Sequence, residues 1–208
     1  MTTIYNDLDL RGQTKVAIAA KIPDLAPLPV EKKYGLIALD PPWKYGLRES
    51  DKTHRNRTPY PNMSNEEILA LPIGAIAAPN SYILLWVTNN HMELGLQCLK
   101  QWGFDFKAIH TWVKTTKDRS KVNIGVGHYG RNSTEHFLVG MKGKPGSFTH
   151  LGLTNIPNVI LAPRREHSRK PDEFYTLSDR LSQAMECDRI ELFARERREG
   201  WDCWGLEA

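Results

Sequence analysis

The stretch LIALDPPWKYG, residues 36–46, ends an apolar run with an aspartate and two prolines. Residues 34–39, YGLIAL, have the apolar character of a buried β-strand, so we predict a strand that ends immediately before Asp40. Proline has no backbone N–H and cannot continue a sheet ladder. In an open α/β sheet, ligands lie beyond the carboxyl ends of the strands. The stretch therefore predicts a strand that leads into a functional loop.

Similar runs of apolar, β-branched and aromatic residues recur along the chain, and each predicts a strand. They are residues 81–87, 107–113, 136–141, 158–161 and 189–194. Helical patterns lie between several of them. Ser64 and Glu67 form a capping-box pattern, Met92 to Trp102 has helical spacing before Gly103, and a third helix begins near Pro171. This alternation predicts an α/β fold with a doubly wound, mostly parallel sheet.

Length and composition predict one domain. The chain has 208 residues, of which 40% are hydrophobic, enough for a single substantial core. Residues 1–33 contain three prolines and no convincing strand, so we interpret them as an N-terminal arm before a catalytic domain at 34–208. No secretory signal or bilayer-spanning apolar run is present, which predicts a cytoplasmic protein. The three cysteines lack a C-x-x-C spacing, and we expect neither disulfides nor a metal site.

Basic residues form three clusters, although the net charge is only +4. Each cluster follows a predicted strand, so the three are expected to converge on one edge of the sheet. The simpler alternative is three solvated faces. The members are Lys114, Lys117, Arg119, Lys121 and Arg131; Arg164, Arg165, Arg169 and Lys170; and Arg195, Arg197 and Arg198.

The residue types at Asp40–Trp43 suit one kind of chemistry. A carboxylate and rigid proline carbonyls accept hydrogen bonds, and an indole stacks on a planar ring, so together they fit a base with an exocyclic amine. Acceptors on that amine would stabilise the positive charge that develops when it attacks a methylsulfonium. This predicts methylation of adenine N6 or cytosine N4 by S-adenosylmethionine. The alternative is an ordinary loop with a packed tryptophan.

Beyond DPPW, several blocks resemble, in order, the N6-adenine methyltransferase family typified by the 70-kilodalton subunit of the eukaryotic mRNA adenosine methyltransferase. They are PYPNMSNEEILALPI (59–73), LLWVTNNHMELGLQCLKQWGF (84–104), WVKT (112–115), EHFLVGMKG (135–143), HSRKPDEFY (167–175) and IELFARERREGWDCWG (190–205). The resemblance spans about residues 35–206. It implies a class I, Rossmann-like fold with circularly permuted motifs, the catalytic block preceding the main cofactor block.

The resemblance also implies site residues. Asp40, Pro41, Pro42 and Trp43 match the catalytic tetrapeptide, and Tyr60 matches an aromatic residue beside the target base. Further substrate contacts are expected at Lys114, His128 and Tyr129, in and after the WVKT block. The expected contacts to S-adenosylmethionine are Asp40, Lys170, Arg195, Arg197 and Gly205.

Two departures from the family pattern concern the cofactor's adenosine. The family's aspartate before the catalytic strand has no clear counterpart, Asp24 being the nearest candidate. Leu206 and Glu207 replace the asparagine and glutamine expected after Gly205, and Glu207 is a candidate to accept from ribose hydroxyls.

The expected function is N6-methylation of adenine in DNA. Lys114 and the adjoining residues 115–134 contain five basic residues against Asp118 alone and suit a nucleic-acid backbone. The chain has no accessory RNA-binding module, which resembles bacterial or phage members of the family and favours DNA. The alternatives are N6-adenosine methylation of RNA and a catalytically weak nucleic-acid-binding partner subunit. We expect a homodimer, with a heterodimer as the alternative, paired through the arm and the helix around Met92–Trp102.

Overall fold

The computed structural model describes residues 28–44, 62–127, 129–165 and 169–205. These residues form seven strands, four α-helices and a 3₁₀ turn at Asn89–His91. The strands are β1 (Tyr34–Leu39), β2 (Ala77–Val87), β3 (Asp105–Thr115), β4 (Thr134–Lys142), β5 (Val159–Pro163), β6 (Arg189–Leu192) and β7 (Asp202–Trp204). The helices are α1 (Asn65–Leu69), α2 (Ile73–Ile76), α3 (Met92–Gln101) and α4 (Asp172–Ala184).

The strands form one mixed sheet in the order β5-β3-β4-β2-β1-β6-β7. β4 runs antiparallel to its neighbours β2 and β3, and the other four strand pairs are parallel. The prediction of a mostly parallel α/β sheet is therefore confirmed. Because β1 lies between β2 and β6, Asp40 follows a central strand at the edge where the parallel strands end. The amino end of β4 lies at this same edge.

Helices cover both faces of the sheet, which confirms the doubly wound arrangement. Ile37 and Leu39 of β1 pack in the core cluster that also contains side chains of α1, α2 and α3. Leu36 and Ala38 pack in the opposite cluster, which contains side chains of α4. Alternate residues of a strand point to opposite faces, so a strand covered on both sides is apolar at every position. This explains the continuous apolar run of residues 34–39.

Local signals fix two helix ends. The Ser64 Oγ accepts from the Glu67 N–H at 3.3 Å, and the Glu67 carboxylate accepts from the Ser64 N–H at 2.6 Å, which confirms the capping box at α1. Gly103 ends the helical run with a φ of +81°, and the Phe104 N–H donates to the Leu99 carbonyl at 2.8 Å. Glycine suits this position because left-handed backbone costs it little.

Most apolar side chains of α3, a predicted pairing surface, face the core, and residues 1–27 of the predicted pairing arm lie outside the described residues. Cys98 and Leu99 of this helix, and Trp102 immediately after it, are buried in the protein's own core. The apolar spacing therefore describes core packing, as for most amphipathic helices. Leu28, in the described part of the predicted arm, is also buried in this core. The boundary between residues 33 and 34 remains a prediction.

Candidate active site

Asp40 lies at the centre of the carboxyl edge of the sheet. The preceding residue, Leu39, pairs with Leu85 of β2 and Leu192 of β6. The Asp40 side chain is 29% exposed, and its Oδ2 lies 2.8 Å from the Lys170 Nζ. The sheet thus holds one partly accessible carboxylate beyond its central strand, where α/β folds bind ligands.

Lys170 is the cation of this site. It precedes Pro171, the N-cap residue of α4, and is only 8% exposed. Besides Asp40, its ammonium contacts Glu135 Oε2 at 3.2 Å and lies 4.7 Å from the centroid of the Trp86 ring. Two carboxylates and an aromatic face therefore compensate a buried charge that would otherwise be very costly.

Glu135 completes the cluster, and the sequence analysis missed it. It is the second residue of β4 and pairs with Trp112 of β3. Its Oε1 accepts from the Lys114 Nζ at 2.5 Å, while its Oε2 faces Lys170. Glu135 lies beside Asp40 because β4 is antiparallel and begins at the edge where β1 ends. Its position at the start of the EHFLVGMKG block was the available signal.

The three groups shift one another's protonation in different directions. Burial raises the pKa of Asp40 above its usual range, and the ion pair with Lys170 only partly opposes this. Burial also acts to raise the pKa of Glu135, but Lys170 and Lys114 outweigh it and lower that pKa to about 2. Burial acts to lower the pKa of Lys170, yet Asp40 and Glu135 raise it above its usual range. Lys170 and Glu135 are therefore charged at neutral pH, and Asp40 is the group of the three that most readily becomes neutral.

A pH-dependent stability follows from Glu135. Its pKa is depressed in the folded protein, so its contribution is complete above the pKa of the unfolded chain and is lost as pH falls from about 5 to about 2. We expect Glu135→Gln to remove about 3 kcal/mol of unfolding free energy at pH 6 and much less near pH 3. Urea unfolding of both proteins at each pH measures this. Glu93→Gln, which removes an exposed carboxylate, is the control. Parallel pH profiles for wild type and Glu135→Gln would contradict the assignment.

The two proline carbonyls each accept a backbone hydrogen bond. The Pro42 carbonyl accepts from the Met63 N–H at 3.0 Å, so it ties the loop to the segment before α1. The Pro41 carbonyl accepts from the Trp43 N–H at 2.8 Å. A carbonyl oxygen has two lone pairs, so Pro41 retains acceptor capacity next to Asp40.

Trp43 is a core residue, and its predicted role as an open stacking platform does not match the structure. It is 4% exposed, and its Nε1–H donates to the Trp86 carbonyl at 3.1 Å. Its ring stacks on His91 with centroids 5.2 Å apart and planes at 17°. His91 Nε2 lies 3.1 Å from the Lys44 carbonyl, directly after the tetrapeptide. Trp43 thus anchors the loop that presents Asp40.

The segment after β6 holds the predicted cofactor residues in a constrained backbone. Phe193 has a φ of +58°, which is unusual for an aromatic residue. A Cβ at Gly205 would lie 2.4 Å from the Ala194 carbonyl oxygen, so only glycine fits against this turn. Arg195 is half-buried and lowers the pKa of Asp40, whereas Arg197 is exposed. Arg195 therefore lies in the turn that begins beside the Asp40 strand, and Gly205, which follows β7, packs against that turn.

Glu191 of β6 is a second acidic residue that the sequence analysis missed. Its Oε1 accepts from the Tyr175 hydroxyl at 2.8 Å. Its Oε2 is buried and has no hydrogen-bond partner among the described residues. Burial raises the pKa of Glu191, which Tyr175 and Arg198 partly oppose. Asp40 also raises this pKa, so Glu191 is an inaccessible carboxyl close to the Asp40 cluster.

The predicted substrate residues are only partly placed by the structure. Lys114 is paired with Glu135, and its Nζ lies 5.1 Å from the Trp112 ring centroid. Tyr129 is fully exposed, in the segment between β3 and β4. The remaining predicted positions lie outside the described residues: Tyr60, His128, Asp24 and Glu207.

Several basic side chains of the predicted clusters are paired within the protein. Arg119 contacts Glu173 at 3.0 Å, and Arg169 contacts Glu196 at 3.2 Å. The positive field at the carboxyl edge is therefore weaker than the residue count suggests. In the described parts of the chain, no group of three or more His, Cys, Asp or Glu side chains is arranged to hold a metal ion.

Comparison with known proteins identifies the fold's family. The MT-A70 family model matches residues 34–207. The chain belongs to the MT-A70 family. This confirms the resemblance seen in the sequence and the Rossmann-like methyltransferase fold. MT-A70 methyltransferases use S-adenosylmethionine.

The chain covers different fractions of the individual MT-A70 relatives. A putative N(6)-adenosine-methyltransferase MT-A70-like protein of Medicago truncatula is 37% identical over 81% of this chain, and the human N(6)-adenosine-methyltransferase catalytic subunit METTL3 is 35% identical over 78%. The chain spans about a quarter of the length of these two proteins. The type II methyltransferase M.MunI of a Mycoplasma species is 30% identical, and the alignment covers 99% of this chain and 89% of that protein.

Among the described residues, no helix is long and apolar enough to cross a membrane.

Proposed function

We propose that this protein transfers the methyl group of S-adenosylmethionine to the N6 amine of adenine in DNA. The observation that carries the proposal is the Asp40 carboxylate at the end of the central strand, held by Lys170 and followed by the Pro41 carbonyl. Both groups are acceptors, and an exocyclic amine offers two N–H donors. The family's name and those of its N(6)-adenosine-methyltransferase relatives support adenine as the base.

In this proposal, Asp40 and Pro41 hold the amine in position. Asp40 Oδ2 pairs with Lys170, which leaves Oδ1 to accept one N–H, while the free lone pair of the Pro41 carbonyl accepts the other. As the new N–C bond forms and the S–C bond breaks, the nitrogen becomes positive, and the Asp40 charge stabilises it. Lys170 and Glu135 position the carboxylate. Proton release from the methylated nitrogen then restores the neutral amine.

The residues around Asp40 fit the methionine end of S-adenosylmethionine, which supplies an electrophilic methyl group on a sulfonium. That end has an ammonium and a carboxylate. Lys170 and Arg195 are suited to the carboxylate, and Asp40 and Glu135 to the ammonium. Arg197 and Gly205 remain predicted cofactor residues, and Tyr60, Lys114, His128 and Tyr129 remain predicted substrate residues.

DNA is preferred to RNA because one relative, a type II methyltransferase, aligns with almost the whole of this chain. The alignment to M.MunI covers 99% of this chain, against 81% and 78% for the Medicago and human relatives. M.MunI is a type II methyltransferase, a class that modifies DNA. Single-stranded or easily opened sites should react best, because removing a base from the stack costs about a few kcal/mol.

The decisive experiment compares matched DNA and RNA oligonucleotides with S-adenosylmethionine at one fixed salt concentration, since backbone contacts vary steeply with salt. Mass analysis of the nucleosides should show N6-methyldeoxyadenosine. Methylated RNA with unmodified DNA would overturn the choice of polymer, and N4-methylcytosine would overturn the choice of base. Binding of S-adenosylmethionine and oligonucleotide without transfer would indicate a partner subunit.

The proposed assembly is a homodimer, and residues 122–126 add an exposed apolar surface for it to the predicted arm and α3. Val122, Ile124 and Val126 alternate along this segment and are all exposed, Ile124 by 63%. Alternation places three apolar side chains on one side of an extended chain. We expect light scattering to report a dimer for the wild type and a monomer for Ile124→Asp. Lys117→Asp, in the same connecting segment, is the control. A monomeric wild type that still transfers methyl groups would refute the need for pairing.

A further inference from the structure

A cavity lies on the α4 side of the sheet, away from Asp40. Its volume is about 610 Å³, within the usual range for small-molecule sites. Tyr82, which lines it, is four residues before Trp86 on β2, a distance of about 13 Å along a strand. The cavity therefore lies toward the opposite end of the sheet from the Asp40–Lys170 cluster. The methyl-transfer proposal does not use it.

The walls of the cavity are aromatic and apolar. Tyr82 and Phe148 approach with ring centroids 5.4 Å apart, and His110 lies 6.2 Å from Phe148 and stacks on Phe137 at 4.9 Å. The Tyr82 hydroxyl donates to the Gly146 carbonyl, which fixes the segment that presents Phe148. Three rings that are held by contacts of this kind form a rigid surface for a flat ligand.

His110 adds a buried polar group to this surface. The residue is 4% exposed, and its Nδ1 has no hydrogen-bond partner among the described residues. Burial lowers the pKa of His110, so the ring is neutral at pH 7 and has one donor and one acceptor nitrogen. The buried neutral imidazole adds no charge to the wall of the cavity.

The rim of the cavity is positively charged. Lys107 and Lys144 line it and are exposed. Lys107 has a 3.6 Å contact with Asp105, an exposed pair that another anion can replace. Lys144 has no ion pair with a carboxylate of the described residues. An apolar aromatic floor below two lysines selects a ligand with a flat ring at one end and negative charge at the other.

The geometry points to a binding site for a planar aromatic anion of mononucleotide size. The ring of the ligand lies against Tyr82, His110 and Phe148, and its phosphate or carboxylate meets Lys107 and Lys144. The volume of the cavity accommodates a base, a sugar and one phosphate. This inference is independent of the proposed methyl transfer, because no residue of the Asp40 cluster lines the cavity.

Inosine 5′-monophosphate is a suitable probe because its base lacks the exocyclic amine that Asp40 is proposed to bind. Calorimetric titration of the full chain should show saturable binding of this nucleotide, and much weaker binding of inosine and of ribose 5-phosphate, each of which lacks one half of the recognised structure. Equal binding of inosine would overturn the anionic part of the inference. Equal binding of ribose 5-phosphate would overturn the aromatic part, and no binding of the nucleotide would overturn the whole.

Substitutions test whether inosine 5′-monophosphate binds in this cavity. Lys144→Glu should weaken binding of inosine 5′-monophosphate by about tenfold or more, because it places like charge opposite the phosphate. Phe148→Ala should also weaken binding of the nucleotide. If Phe148→Ala does not fold, Lys144→Glu still tests the site, because Lys144 is exposed. Lys100→Glu, on α3 beyond the opposite face, and Asp40→Asn should leave the affinity unchanged. Affinity that is unchanged in Lys144→Glu, or lost in Asp40→Asn, would place the nucleotide elsewhere and refute the site.

Discussion

Asp40→Asn is expected to lower the rate of methyl transfer by about 10²–10³-fold while the fold is retained. The amide can still accept one hydrogen bond, but it has no negative charge to stabilise the positive amine, and such electrostatic effects are worth about 3–4 kcal/mol. The fold should persist because Lys170 keeps Glu135 as a partner at 3.2 Å. Single-turnover rates with a radiolabelled methyl donor measure the loss. Near-normal turnover by folded Asp40→Asn would remove Asp40 from the mechanism.

The pH profile gives a second test of Asp40. Transfer needs the carboxylate, so the rate should fall as pH falls through the pKa of Asp40, and burial raises that pKa above the usual aspartate range. The residual activity of Asp40→Asn should lack this acid limb. Asp105→Asn, which removes an exposed carboxylate near Lys107, should keep both the rate and the limb.

Trp43→Ala is expected to lower the free energy of unfolding by about 3–5 kcal/mol, the usual cost of truncating a buried tryptophan. The side chain is 4% exposed, and the change removes both its stacking on His91 and its hydrogen bond to the Trp86 carbonyl. Activity should fall because the loop that follows Asp40 loses its anchor. Chemical denaturation and methyl-transfer rates, measured on the same samples, separate the two effects.

Two comparison variants make this prediction specific. Trp43→Phe keeps an aromatic ring but leaves the Trp86 carbonyl without its indole donor, so a loss of about 1–3 kcal/mol is expected. Tyr129→Ala, at a fully exposed aromatic position, should change stability by less than about 0.5 kcal/mol. Unchanged stability in Trp43→Ala together with weaker binding of oligonucleotide would instead support the stacking role inferred from the sequence.

Most of the fold could be predicted because six strands have strong local patterns. β7 was missed since Asp202–Trp204 is three residues long, too short for alternation to be seen. The helix α2 was also missed, because it follows Pro72 and has only four residues. The direction of β4 was also not predictable, because a strand's apolar pattern is the same in either orientation. Direction is set by pairing with β2 and β3, which is tertiary information.

The same limits explain what was missed at the site. Asp40 and Lys170 were identified from their motifs, and the structure places them in contact at 2.8 Å. Glu135 was missed because its proximity depends on the direction of β4. The burial of Trp43 was missed because a motif records residue types and not which side of a loop faces the core. Its partners, His91 and the Trp86 carbonyl, are more than forty residues away in the chain.

The antiparallel pairing of β3 and β4 has a consequence for how members of such a fold diversify. Residues 116–133 leave the sheet after Lys114 and Thr115 and return at Thr134, on the adjacent strand and at the same edge as Asp40. The free energy of closing such an excursion grows only slowly with its length. Insertions, deletions or whole-segment exchange there can therefore change the surface beside Asp40 without altering strand register. We expect a chimaera that exchanges residues 116–133 between relatives to retain the strand pairing that places Asp40 beside Lys170 and Glu135.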